Sequence, residues 1–181
     1  SFHPEISNLA KLFFNNNWID ASLRKGKASG AFAHPSVPSL HPYILVNYQG
    51  KIRDVMTLAH ELGHGVHQIL AGKNGLLMAE TPLTLAETAS VFGEMLVFRK
   101  LLDESPIEQK KQLLSSKIED MLNTVARQIG FHQFEVKFHE ARIKSELTPD
   151  EISDIWMETQ SHAVGPHINL GDDYRFLWGY I

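Results

Sequence analysis

The chain contains no cysteine. Disulfide scaffolds, thiolate zinc sites and cysteine nucleophiles are therefore excluded, and a reducing compartment is compatible, with the cytoplasm as the expected location. It also lacks any apolar run near the roughly 20 residues that a membrane span requires, so no membrane partner is expected. Positive charge is short: 17 Lys and Arg against 21 Asp and Glu give a net charge of −4. Without a basic field, nucleic acid is not an expected partner. The opening SFHPEISNLAKLFF has neither an initiator Met nor the charged-then-apolar order of a secretory signal. A start at Ser1 and a stop at Ile181, just after LWGY, read as an excised piece of something longer. The expectation is one truncated domain, 1–181, whose partners include the N-terminal and C-terminal remainder of a parent protein.

Histidine, by contrast, is plentiful: ten in 181 residues. Most of the chain carries helical periodicity. Ile6, Leu9, Phe13 and Phe14 predict a helix running to about Asp20, interrupted by NNNW. Residues 24–42 are rich in Gly, Ser and Pro, with SGAFA as a short extended piece, and Tyr43 to Tyr48 predicts a strand. Asp54 is the expected cap of a helix that stops at Gly72. Thr81-Pro82 is the expected start of a second helix, ending before Ser105-Pro106. A long helix follows from Pro106 to about Glu146, then another opened by Thr148-Pro149, then a loop-like tail from Gly165. The fold class is thus mainly α with a small β component near residues 30–50.

HELGHGVH, residues 60–67, carries the chemistry. Positions i and i+4 share a helix face, so His60 and His64 can point two imidazoles at one ion, with Glu61 placed to act on a water. That is the geometry of a zinc site with a glutamate general base. The flanking residues Val55, Met56, Leu58, Val66, Ile69 and Leu70 are apolar, and burying such polar groups without a partner is costly. Gly63 and Gly65 each cost about 1 kcal/mol in a helix relative to Ala, which predicts a close approach at that turn.

A catalytic zinc needs a third protein ligand. His67 returns almost to the azimuth of His60, yet the rise of about 10.5 Å between them is too great for one ion. It is expected as a neighbour. The third histidine of the longer H-E-x-x-H-x-x-G-x-x-H pattern is replaced by Leu70. Glu80, Glu87 and Glu94 fall seven apart, with Glu80 in a loop and Glu87 inside the next helix. Glu87 is the expected ligand, although Thr84 and Glu87 also fit a capping box. Glu94, two turns on, suits a carboxylate that orients a ligand histidine.

LAHELGHGVH followed by TLAETASVFGE, together with GKASGAF, HPYILVNYQGKIRDVM and YRFLWGYI, resembles the oligoendopeptidase F group of thimet-oligopeptidase-like zinc metallopeptidases. The likeness is strongest over residues 24–104. The zinc carboxypeptidases with a similar first motif keep His-Glu-Ser-Gln-Ser where this chain reads AETAS. The resemblance implies a helical zincin-type catalytic core, one Zn²⁺ per chain, His60, His64 and Glu87 as ligands, and Glu61 as general base. It implies Glu94 as a carboxylate beside the ligands. It also implies that Gly30, Ala31, Phe32 and Ala33 form a strand that pairs with a bound peptide, and that short oligopeptides are the substrates.

The resemblance also marks a departure. The group's oxyanion-stabilising histidine and tyrosines follow a segment like LWGYI, where this chain ends. His162, His167 and Tyr174 match none of those roles and are expected as surface or packing residues. The two expectations are an active zinc oligopeptidase core and an inactive zinc-binding fragment of one. A metal-free helical domain is a third.

Overall fold

The computed structural model describes residues 2–181, in two compact units that divide between Ser105 and Pro106. The first unit holds helix α1 (Pro4–Asn15), strands β1 (Ile19–Asp20), β2 (Phe32–His34) and β3 (Tyr43–Leu45), and helices α2 (Ile52–Gly72) and α3 (Leu83–Glu104). The sheet order is β1-β3-β2, with β1 parallel and β2 antiparallel to β3.

Local chemistry explains where these elements begin and end. α1 stops at Asn15, where NNNW interrupts the helical spacing, and Asn17 takes a left-handed φ of 58° that Asn tolerates better than most residues. Ile19 and Asp20 then become strand. β3 is shorter than the expected Tyr43–Tyr48. Beyond Leu45, the N–H of Val46 still donates to Asp20 (3.0 Å) and that of Tyr48 to Ala21 (3.1 Å), so the backbone keeps pairing on one side only. Asp54 is not the cap of α2. Lys51 is, and Asp54 sits at the third helical position, where its Oδ2 accepts N–H bonds from Gln49 (2.7 Å) and Lys51 (3.0 Å). Those amides hold its carboxyl below the usual carboxylate range. α3 likewise starts one residue later than expected. Pro82, extended at φ −55° and ψ 141°, takes the cap position, and its carbonyl receives the first helical bonds from Leu85 and Ala86.

Phe13, Ile44 and Val46 are buried together, and Trp18, Ala31, Ala33, Leu58, Leu62 and Ile69 pack around them. One face of the sheet therefore lies against α1 and α2. Behind the strand turn, Lys27 is 1% exposed, with its ammonium on the carbonyls of Asp20 (2.9 Å), Ser22 (2.9 Å) and Val46 (2.7 Å) and on Asp20 Oδ1 (3.1 Å). A buried charge is tolerated when its donors are satisfied, as here.

The tightest contact joins α2 to α3. A Cβ built on Gly63 would lie 2.5 Å from the Ala89 carbonyl oxygen and 2.7 Å from Ser90 Cα. One on Gly93 would lie 3.0 Å from the Ala59 carbonyl oxygen. Gly65 faces the Phe13 ring, which a Cβ would meet at 2.5 Å. The two helix-interior glycines of the motif are thus explained by approach: one admits a neighbouring backbone and the other a buried ring.

The second unit holds α4 (Ile107–Lys144) and α5 (Pro149–Val164). Thr148 caps α5 in a capping box with Glu151. The tail departs from expectation: Asp172–Tyr180 coils into a 3-10 helix. It is held there because Trp156 Nε1 donates to the Tyr174 carbonyl (2.9 Å) and Trp178 Nε1 to Ser153 Oγ (3.0 Å). Along α4, Phe134 is buried, whereas Leu114, Ile118, Met121, Leu122, Val125 and Ile129 are exposed. No helix among the described residues is long and apolar enough to cross a membrane.

Gly63→Ala tests the close crossing. Alanine normally improves a helix interior by about 1 kcal/mol. Here the overlap with backbone atoms reverses the sign, and urea unfolding should show a loss of about 1–3 kcal/mol. Gly72→Ala is the control, because its nearest neighbours lie at 3.6 Å and it should be neutral within about 1 kcal/mol. Equal midpoints for the two variants would contradict the contact.

Candidate metal centre

His60, Glu61 and His64 lie in the middle of α2, and Glu87 and Glu94 lie on α3. The Gly63 crossing brings the two helices within reach of each other at this level. Glu87 then comes opposite the histidine pair: its Oε2 is 3.1 Å from His60 Nε2 and 3.4 Å from His64 Nε2. The two imidazole rings stand 5.0 Å apart, nearly perpendicular. Among the described residues, His60, His64 and Glu87 form the one group of three or more potential ligands whose donor atoms all lie within 4.8 Å of one another. His67 is outside that group and lines the neighbouring clefts. Glu80 is exposed in the loop before α3.

Two of the three have a partner that fixes their direction. His60 turns Nδ1 to Glu94 Oε2 at 3.3 Å, which leaves Nε2 facing Glu87. An ionised carboxylate only accepts, so Nδ1 carries the proton in that contact. Glu87 is steered by Ser90, whose hydroxyl donates to Glu87 Oε2 at 2.6 Å and to the Glu87 carbonyl at 3.0 Å. Ser90 is fully buried. Sequence reading passed over it, although Glu87 and Ser90 stand three apart on one helix, a spacing at which side chains meet.

The electrostatics separate the histidines. The hydrogen bond to Glu94, helped by the nearby Glu87 and Glu61 carboxylates, raises the His60 pKa against the opposing effect of burial. His64 goes the other way, because burial outweighs its attraction to Glu87. Glu61 is 6% exposed, and burial, reinforced by Glu87, raises its pKa. The N–H of Ala33 donates to its carboxylate and works against that rise.

Gly30, Ala31, Phe32 and Ala33 lead into and form most of β2, an edge strand of the sheet. Gly30 has φ +81°, which a side chain would resist, so the turn that delivers the strand depends on glycine. The Ala33 carbonyl accepts from Gln68 Nε2 on α2 at 3.2 Å. A cleft of about 490 Å³ opens beside His64 and His67, walled by Val37, Pro38, Leu40 and Ile69. In the second unit His162 and His167 are exposed, and Tyr174 stacks on Trp156 at 5.8 Å.

Two imidazoles and a carboxylate are a donor set suited to zinc, and they fit: their free atoms already converge, with outer partners orienting two of the three. In the metal-free chain, the Glu94 contact generates a prediction. The folded His60 pKa lies above its unfolded value, so the contact stabilises fully below the unfolded pKa and is lost as pH rises through the folded one. Glu94→Gln should bring the His60 titration, followed by NMR, down toward the ordinary histidine range. An unchanged His60 titration in that variant would remove Glu94 as the cause.

Residues 1–179 match the profile of peptidase family M3. The chain is 32% identical over 183 residues to the chromosomal oligoendopeptidase F of Lactococcus lactis subsp. cremoris, covering 99% of this chain and 30% of that protein. It is 29% identical to oligopeptidase PepF of Bacillus subtilis, covering 98% and 27%. Among solved structures, a protein of Chlamydophila abortus superposes with a TM-score of 0.71 at 30% identity, covering 99% of this chain and 31% of that one. PZ peptidase A superposes at 0.79 with 20% identity, covering 98% and 31%, a likeness of fold. The chain spans about a third or less of the length of these relatives. With a profile match across nearly its whole length, this chain belongs to peptidase family M3.

Proposed function

We propose that this chain carries the catalytic centre of a zinc metalloendopeptidase that hydrolyses short oligopeptides. One Zn²⁺ is held by His60, His64 and Glu87, and Glu61 is the general base. The observation that carries the reading is the convergence of three donor atoms from two helices locked at Gly63, with a buried carboxylate next in sequence to the first donor. A bound zinc ion would supply Lewis acidity, acidifying a water and polarising the peptide carbonyl.

The chain's own residues do the rest. Glu61 takes the proton of the attacking water, a role suited to a carboxyl whose pKa burial raises above the ordinary carboxylate value. The proton then passes to the leaving amine. Glu94 and Ser90 hold His60 and Glu87 in place, so little reorganisation is needed when substrate binds. Gly30, Ala31, Phe32 and Ala33 supply an edge strand for the peptide backbone, and the cleft beside His64 accommodates a side chain. His67 walls that cleft and is not a ligand.

In this reading residues 1–181 are one stretch of a cytoplasmic peptidase domain. More of the parent polypeptide packs on the exposed apolar side of α4, as a row of uncovered Leu, Ile, Met and Val side chains supports. The short span relative to the relatives favours a second reading as well: a chain that holds zinc without turnover, because oxyanion-stabilising groups lie elsewhere in the parent.

Zinc titration and a quenched-peptide assay separate these. Wild type and Glu61→Gln should each bind one equivalent of zinc, whereas Glu87→Gln should weaken binding about tenfold or more. Hydrolysis by wild type, abolished in Glu61→Gln and by chelator, supports the first reading. Zinc binding without hydrolysis in this chain, with hydrolysis by the full-length parent, supports the second. Cleavage by Glu61→Gln at the wild-type rate contradicts the assignment of the base.

A further inference from the structure

The edge strand has a direction problem that the ladder resolves. In β3, the N–H of Ile44 donates to the Trp18 carbonyl (2.9 Å) and that of Val46 to the Asp20 carbonyl (3.0 Å), so these two residues turn their backbone groups toward β1. Tyr43 and Leu45 face the other way, and their partners His34 and Phe32 spend their backbone groups on the ladder. Ala33, opposite Ile44, therefore points its N–H and C=O outward, and Ala31, two residues earlier, does the same. The next outward position is Pro35, which has no N–H. The two alanines are the groups a peptide backbone could use.

They are not equally open. The Ala33 carbonyl accepts from Gln68 Nε2 at 3.2 Å, and its N–H donates to Glu61. Glu61 and Gln68 are seven residues apart, two turns along one face of α2. Ala31 has no backbone hydrogen bond among the described residues. On its other side the strand entry is fixed by Asn47, whose Nδ2 donates to the Ala28 and Gly30 carbonyls at 2.9 Å each.

We propose that Gln68 is a positioning residue: by holding the Ala33 carbonyl it ties the peptide-pairing edge to the metal helix and makes Ala31 the residue that offers a bound peptide both N–H and C=O. This rests on the peptidase reading of the site. The single N–H of Ala33 is spent on Glu61, and a peptide donor would have to share the Ala33 carbonyl with Gln68, so the pairing has one favoured register. The distance from that register to His60 and His64 is fixed, because Gln68 belongs to the same helix as the histidines.

The test uses the isotope-labelled zinc-loaded chain and a short N-acylated dipeptide hydroxamate. Amide exchange and NMR titration are read in wild type, Gln68→Leu and Gln68→Glu. Leucine keeps the apolar stem without the donor, and the glutamate carboxylate cannot donate to a carbonyl at neutral pH. In wild type the probe should slow exchange at Ala31 about tenfold, the equivalent of one hydrogen bond. Both variants should keep one equivalent of zinc, bind the probe about tenfold more weakly and lose selective protection at Ala31. Binding of the probe to wild type without protection at Ala31 overturns the inference and leaves the peptidase reading intact. So do variants that bind as wild type does with the same protection pattern. A probe that fails to bind the zinc-loaded wild type removes the peptidase reading, and the inference falls with it.

Discussion

Everything at the candidate centre depends on how closely α2 and α3 approach at Gly63. A side chain there would overlap the Ala89 carbonyl oxygen and Ser90 Cα, and the facing Gly93 leaves similar room for the Ala59 carbonyl. Glycine costs a helix about 1 kcal/mol relative to Ala, and the chain places two in this motif. What it gains is a backbone-to-backbone contact one residue before His64 and about two and a half turns before Gly72 ends the helix. That contact decides whether a carboxylate on α3 can meet imidazoles on α2. A methyl group of extra separation would be comparable to the 3.1 and 3.4 Å gaps between Glu87 and the two histidines.

The same approach sorts the three glutamates that fall seven apart. Glu80 lies before the crossing in an exposed loop. Glu87 lies at it, its carboxylate steered by the buried Ser90 hydroxyl. Glu94 lies beyond it, where it reaches His60 Nδ1 from the far side. A single helix thus presents one carboxylate to the free nitrogens and another to the proton-bearing nitrogen of the same imidazole. That division gives His60 a raised pKa and leaves His64, without such a partner, lowered by burial.

Much of this was legible in the sequence, for identifiable reasons. The i, i+4 histidines, the Gly63 and Gly65 anomalies and the apolar flanks of the motif all follow from helical periodicity, which local sequence encodes strongly. The mainly helical class and the small sheet near residues 30–50 followed from the same periodicity and from the β-branched run at Tyr43. Element ends were less legible. Asp54 looks like a cap and is the third helical residue, because Lys51 and Gln49 supply the amides that it binds. Asp172–Tyr180 looks like loop and coils, because Trp156 and Trp178 hold it by tertiary hydrogen bonds that no local pattern records. Gln68, Ser90 and Lys27 were illegible for the same reason: each acts through a partner fixed only once the chain has folded.

The proposed centre is a zinc site of two imidazoles and one carboxylate brought together by the crossing. Zinc-edge X-ray absorption on the zinc-loaded chain tests it most directly. The account predicts four-coordinate zinc with two imidazole nitrogens, at about 2.0–2.1 Å, and light oxygen scatterers completing the shell. A third imidazole in the fit, or an all-oxygen octahedral shell, would contradict it.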